Sequence, residues 1–263
     1  LQRNSREPTD QTLKISIITV TYNSASTVSE TLKSVAQQDY SNIEHIIVDG
    51  SSSDRTLAIV HDFSHISHVL SEPDKGMYDA LNKGINLATG DYLGILNSDD
   101  TLHKSSTITD LVREIKKDRK DAYFADIRFI KPKNREATLR YYSSAHFHPK
   151  KFEFGYMPAH PSFYMKRELF QKHGLYETNY TIAADYELLI RYLFTHQVSY
   201  RYLHLLMVDM LPGGLSNNSF FSRYLLNKEI VIACAAHGIK TNIFKLSLKY
   251  FKKVFEYLPN KKI

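Results

Sequence analysis

The chain holds one cysteine, Cys234, in 263 residues, which excludes an internal disulfide framework and agrees with a reducing compartment. In the run "IVIACAA" it reads as a small apolar residue rather than a nucleophile. No stretch approaches the roughly 18 to 20 consecutive apolar residues of a membrane span. The polar opening "LQRNSREPTDQT" lacks the apolar core of a signal peptide. The expectation is a cytoplasmic protein whose residues 1–12 form a disordered lead. No G-x-G-x-x-G follows the first strand-like run and no G-x-x-x-x-G-K-[ST] occurs, so a dinucleotide fold and a P-loop are disfavoured. Also missing are a G-x-S-x-G elbow and a clustered Cys/His zinc spacing. Internal repeats, low-complexity tracts and Pro/Gly/Ser linkers are absent, which argues for halves that share one core.

Excess charge is missing from most of the chain as well. The formal net charge of +6 resides in residues 240–263, which hold seven lysines and one acid, Glu256; the residues before them carry 27 charges of each sign. At about 100° per residue, "NIFKLSLKYFKKVFEYLPNKK" gathers Lys245, Lys249, Lys252, Lys253 and Glu256 into one third of a helical wheel, and apolar residues from Ile243 to Leu258 fill the rest. Such a helix suits an anionic membrane surface through residues 243–258, docking on the body, or pairing with a second copy as a homodimer. Nucleic acid is disfavoured, because the stripe holds no arginine and the body has no basic excess.

What is present is a regular alternation over the first hundred residues. "KISIITVTY" (14–22), "IEHIIVDG", "HISHVL" and "DYLGILN" read as strands. Between them lie a helix over 26–38 with a Thr27/Glu30 capping box, the helix "DRTLAIVHDF" with Ser53 or Asp54 as its N-cap, and the helix "GMYDALNKGINLATG". In that last helix Met77, Ala80, Leu81, Ile85 and Ala88 are expected inward, with Gly90 as the C-cap. Strands separated by helices imply parallel βαβ units, and such sheets bind ligands at the carboxyl ends of their strands. Those ends are "TYN" (21–23), "DGSSSD" (49–54), "SEPDKG" (71–76) and "NSDD" (97–100), all polar or acidic. Beyond residue 105 the pattern predicts a helix over 105–117, mixed strands over 121–130 and 137–142, a helix over 184–194, a strand over 198–210, a loop, and two further helices.

The fourth end carries the chemistry. In "YLGILNSDD" an apolar strand runs out into Asp99 and Asp100, like charges that repel unless a cation joins them. Two carboxylates on a tight turn suit a hard divalent ion shared with a diphosphate.

Four ordered segments, "ISIITVTYNSASTVSETLKSVAQQ", "IIVDGSSSDRT", "SEPDKGMYDALNKGINLATGDYLGILNSDD" and "AADYELLIR", closely resemble the inverting glycosyltransferases of family two, of bacterial polysaccharide type, over about residues 13–215. The resemblance implies the GT-A fold: a Rossmann-like nucleotide-binding half with a mixed central sheet, an acceptor half sharing its core, and here C-terminal helices. It implies a nucleotide-sugar donor, with a UDP-sugar favoured, and Mn²⁺ or Mg²⁺. Residue by residue it places Thr21, Tyr22 and Asn23 at the nucleoside, with Tyr22 stacking on the base. It makes Asp49 the acceptor of the base N–H; a second acid often follows in the family, and here that place is Gly50. Asp74, Lys75 and Asp79 fall where the sugar and diphosphate are met. Asp99 and Asp100 match the metal motif, Asp99 also reaching ribose, and Asp185 matches the catalytic base with Glu187 behind it. A helix N-terminus should give Asp185 a low pKa. His160 and the Gly213–Gly214 loop edge the pocket.

The expected units are therefore 13–104 for the donor, 105–215 for the acceptor and base, and 216–263 as an amphipathic helical segment. The acceptor is expected to be a saccharide or lipid-linked sugar, met at the inner face of the cell membrane. The alternatives are a sugar nucleotidyltransferase and a non-catalytic nucleotide-binding subunit.

Overall fold

The computed structural model describes residues 12–132, 134–213 and 220–247; residues 1–11 of the expected lead and residues 248–263 of the lysine-rich tail lie outside the described residues. Four strands, β1 (Ile15–Thr21), β2 (Ile43–Asp49), β3 (Ile66–Ser71) and β4 (Tyr92–Ile95), pair in parallel in the order β3-β2-β1-β4. Side chains alternate along a strand, and β1 uses both faces: Ile15 and Ile17 enter one core, Ile18 the other. The crossovers are α1 (Val28–Ala36), α2 (Thr56–His61) and α3 (Met77–Leu87).

Local details correct the sequence reading. Thr27 precedes α1 but makes no side-chain cap; its hydroxyl donates to the Ser24 carbonyl, and Glu30 pairs with Lys33 at 2.9 Å, so the capping box is not formed. Asp54 accepts from the Thr56 amide at 2.9 Å and starts α2 as an Asx turn. Met77 is exposed and Tyr78 takes its place inward. α3 ends at Ala88; Gly90 instead lets the chain pass Ser16, whose backbone nitrogen would lie 2.7 Å from any Cβ there.

The second half continues the same sheet. β5 (Thr101–Leu102), α4 (Thr107–Lys117), β6 (Ala122–Lys131), β7 (Asn134–Tyr142), β8 (Tyr164–Lys166), α5 (Arg167–His173), α6 (Ala184–Ile190), β9 (Tyr200–Met210) and α7 (Phe220–Ala236) follow in order. β4 pairs antiparallel with β8, and the path runs on through β6 and β9 to β5, with β7 beside β6. Gly94 makes the seam close, since a Cβ there would enter the Tyr164 ring. The mixed curled sheet with helices on both faces is the GT-A arrangement. One core joins α3, α5, α6 and α7; the other joins α4 to β6 and β9. α7 is thus part of the body, with Ile230, Ala233 and Cys234 buried against α6. No helix among the described residues is long and apolar enough to cross a membrane.

At the amino end of the parallel strands Glu44 is 2% exposed. Burial alone would raise its pKa, but Lys14 at 2.7 Å, Ser16 at 2.6 Å and Thr89 at 2.6 Å bring it down to about 2. This network ties β1, β2 and the end of α3 together opposite the candidate site.

Candidate active site

All four parallel strands deliver their predicted polar ends to one edge. The loops after β1 and β2 interlock: the Asn23 amide donates to Ser52 Oγ at 2.8 Å, and Asn23 Oδ1 accepts from the Ser53 amide at 2.9 Å. Asn23 adopts φ 49° and Ser51 φ 60°, left-handed conformations that Asn tolerates better than most residues.

Asp49 sits differently from the expectation. It is fully buried, and its carboxylate accepts from Thr21 Oγ1 at 2.9 Å, the Ser52 amide at 2.9 Å, Ser52 Oγ at 2.5 Å and Ser71 Oγ at 2.8 Å. A carboxylate has about four acceptor positions, so none remains for a base N–H. Burial pushes its pKa up and these bonds outweigh it, lowering the pKa. In this conformation Asp49 and Thr21 lock the loop rather than face a ligand.

Tyr22 and Asp74 lie next to them. Tyr22 is 67% exposed, so its ring does not pack on α1. A Cβ on Gly50 would collide with Asp74 Oδ2 and lie 3.4 Å from the Tyr22 ring. The missing second acid of β2 is therefore matched by an acid from another loop, Asp74, beside an open aromatic face. Asp74 Oδ1 accepts from the Gly76 amide at 2.8 Å. Lys75 is exposed; Asp79 accepts from the Lys75 amide at 3.0 Å and faces Lys83 at 3.6 Å, so it braces the start of α3. The Lys75 amide bond leads the causes that lower the Asp79 pKa.

The "NSDD" turn is held from α1, where Thr31 Oγ1 donates to the Asp100 carbonyl at 2.7 Å, and from the β1 loop, where Ser98 and Ser24 hydroxyls meet at 3.0 Å. Asp100 is 1% exposed; Asn97 Nδ2 donates to its Oδ2 at 3.0 Å, and its Oδ1 has no partner. Burial, reinforced by Asp99, raises the Asp100 pKa well above the carboxylate range, and burial raises that of Asp99. A buried carboxylate oxygen without a donor is a group in want of a cation. No group of three or more acidic, His or Cys side chains gathers around a metal position among the described residues. The donor set fits an ion of the Mg²⁺ type, held by one or two carboxylates plus ligand phosphate and water.

Asp185 starts α6, and its Oδ1 accepts from the Tyr186 amide at 2.7 Å. Its pKa is raised to about 6, chiefly by burial, against the expected lowering. Desolvation outweighs the helix dipole: Tyr78 and Tyr176 stack with ring centres 5.7 Å apart beside Asp185, which itself stays partly exposed. His160 Nε2 meets Tyr176 Oη at 2.7 Å, and burial lowers its pKa to about 4, so it is neutral at pH 7. Tyr78 Oη donates to the Ile182 carbonyl at 2.5 Å, tying the loop ahead of Asp185 to the start of α3 and hence to the carboxyl edge. Tyr78 and Tyr176 carried no sequence signal: each reads as an ordinary core aromatic. Glu187, expected behind Asp185, is paired elsewhere in this conformation. Its carboxylate is buried between Arg191 at 2.7 Å and His237 at 2.8 Å; burial would raise its pKa, and these two partners lower it. Gly213 has φ 126°, and the loop from Gly214 to residue 219 lies outside the described residues.

Residues 16–175 match the sequence model of "Glycosyl transferase family 2". The chain belongs to that family. This glycosyltransferase is 30% identical over 218 residues to a PGL/p-HBAD biosynthesis glycosyltransferase of Mycobacterium bovis BCG, covering 80% of the chain and 82% of the relative. Its fold is similar to that of S. aureus TarS 1-349, solved with UDP-GlcNAc: the TM-score is 0.65 at 17% identity, over 93% of this chain and 73% of that one. A mannosyltransferase, PcManGT from Pyrobaculum calidifontis, solved with GDP-Man and Mn²⁺, gives a TM-score of 0.56 at 17% identity over 92% and 80% of the chains. Family membership decides against the nucleotidyltransferase and non-catalytic alternatives. The matched segment of the glycosyltransferase ends before Asp185, whose surroundings are known from the geometry above.

Proposed function

We propose that this glycosyltransferase transfers a sugar from a UDP-sugar to a saccharide or lipid-linked acceptor in surface polysaccharide assembly, with inversion at the anomeric carbon and with Mn²⁺ or Mg²⁺ held by Asp99 and Asp100. The observation that carries the reading is Asp100 Oδ1, buried without a hydrogen-bond donor at the end of β4. A divalent ion there would neutralise the leaving diphosphate. Tyr22 forms the floor for the base, and Asp74 Oδ2 at Gly50 takes the base-reading part that the buried Asp49 cannot. The Lys75 ammonium is left to meet phosphate.

Asp185 supplies the base. With a pKa of about 6 it is roughly nine-tenths ionised at pH 7 and still basic enough to accept a proton. The acceptor oxygen forms its bond to the anomeric carbon while the bond from that carbon to the diphosphate oxygen breaks. The hydroxyl proton passes to an Asp185 carboxylate oxygen, and the nucleoside diphosphate leaves with the bonding electron pair. Tyr78 and Tyr176 line one side of that carboxylate, which stays partly exposed and so open to an acceptor hydroxyl. Localisation at the inner face of a membrane rests on the lysine-rich segment 243–258. Its first turn shows both tendencies: Lys245 pairs with Glu153 at 2.7 Å and Leu246 is buried, while Phe244 is 76% exposed.

The test is calorimetric titration of UDP, GDP, dTDP and CMP with and without Mn²⁺, on wild type and D100N. Metal-dependent binding of UDP, lost in D100N, is expected. Equal binding without metal, or full retention in D100N, would overturn the metal assignment.

A further inference from the structure

α6 begins without a local cap. The residue before it, Ala183, cannot cap it; Asp185 takes the Tyr186 amide, and the Ala183 amide has no acceptor in its own segment. Ser, Thr, Asp or Asn normally fills that place, because the opening N–H groups of a helix have no partner within it. Here the acceptor comes from α7. Glu229 is 6% exposed, and its Oε1 accepts from the Thr181 amide at 2.8 Å while its Oε2 accepts from the Ile182 and Ala183 amides at 2.9 Å each. Three consecutive N–H groups, the last of them two residues before Asp185, thus converge on one carboxylate. The same loop is held from the opposite side by Tyr78, whose hydroxyl donates to the Ile182 carbonyl. Its amides are gripped by α7 and its carbonyl by α3.

We infer that Glu229 is the positioning residue for Asp185: its carboxylate fixes the 181–183 loop from which the base projects and places a second negative charge behind it. The inference rests on reading Asp185 as the base. Glu229 lies beyond the 16–175 segment that defines the family and had no signal in the sequence, where "LLNKEIVIA" reads as an ordinary buried helix. The groups facing Asp185 are Tyr78 from α3, Tyr176 from the segment between α5 and α6, and Glu229 from α7. The two tyrosines, their pKa raised by burial, are uncharged at pH 7, and Glu229 is the one carboxylate among the three. Its charge opposes ionisation of Asp185 and so adds to the effect of burial. A carboxylate that only closed off a helix would stabilise α6 and leave the titration of Asp185 where it was. One that positions the base acts on both.

The experiment follows the side-chain carboxyl carbons of ¹³C-labelled aspartate by NMR through a pH titration of the full chain, with D185N identifying the Asp185 signal. Amide hydrogen exchange of residues 181–183 is read on the same samples. In E229Q the Asp185 midpoint is expected to fall by about half a pH unit or more. Exchange at the three amides is expected to speed up about tenfold or more. E229D retains charge with a shorter reach, and should keep the midpoint near wild type while loosening the amides; it serves if E229Q does not fold. An unchanged midpoint in a folded E229Q, or unchanged exchange in both variants, would overturn the inference. The reading beneath it fails separately: if D185N hydrolyses UDP-GlcNAc with Mn²⁺ as wild type does, Asp185 is not the base, whatever the amides report about Glu229.

Discussion

Asp100 and Asp185 are both carboxylates whose pKa burial raises, yet the atoms around them assign different work. Asp100 leaves an oxygen with nothing to bond, whereas Asp185 stands behind a wall of tyrosine rings. A buried, unpaired carboxylate destabilises the metal-free fold at neutral pH, because its raised folded-state pKa means that the folded chain gains stability only where that group is protonated. D100N should therefore raise the melting temperature of metal-free protein at pH 7 by about 2–4 °C, and the gain should vanish in saturating Mn²⁺ and nucleotide, as differential scanning fluorimetry would read. As the proposed base, Asp185 has the opposite demand, since a base must be ionised to accept a proton. Donor turnover should fall as pH drops through about 6, and D185N should lose about 10²–10⁴-fold across the profile, checked by kcat/KM against pH. The paired acids were legible from sequence because charge at the end of an apolar run is conspicuous. The raised pKa of Asp185 was not, because the tyrosines that help desolvate it come from positions 78 and 176, and only tertiary packing puts them there.

Among the elements, α6 and the helical turn after it lie within the core shared by α3, α5 and α7. Glu187, Arg191 and His237 make a buried charge cluster that joins α6 to the end of α7. Removing one partner of a buried pair leaves the other uncompensated, so E187A should cost about 3–5 kcal/mol in chemical denaturation. The Glu187 pKa is lowered by His237 and Arg191, so its contribution is present above the ordinary carboxylate pKa and lost as pH falls through the folded value; the variant should lack that acid-side loss. Elements with a regular period were legible: β1 to β4 and the helices between them lie where alternation and helical spacing put them. The caps were read less well, since Thr27 points back to the Ser24 carbonyl and Asp54 acts one residue early. The order β4-β8-β6-β9-β5 was beyond pattern reading, because antiparallel partners far apart in sequence leave no local mark.

For the whole molecule, the expected donor and acceptor units are two ends of one nine-stranded sheet. The seam between β4 and β8 is closed by Gly94 against the Tyr164 ring, and α7 packs into the core shared by α3, α5 and α6. Heating should therefore give a single transition with equal calorimetric and van't Hoff enthalpies, and two resolved calorimetric peaks would refute this. The missing linker made a shared core legible. The role of the C-terminal helix was not, since a lysine stripe and aromatic face drew attention to residues 243–258 and away from the acid in α7.

The grip of Glu229 on the 181–183 amides also has a meaning in time. A growing polypeptide exposes Asp185 well before the acceptor that holds its loop, which lies 46 residues beyond Ala183. Until that stretch has been synthesised the loop lacks the carboxylate that binds its amides. A nascent chain thus holds the residues of its four parallel strands before it holds the acceptor that fixes the Asp185 loop.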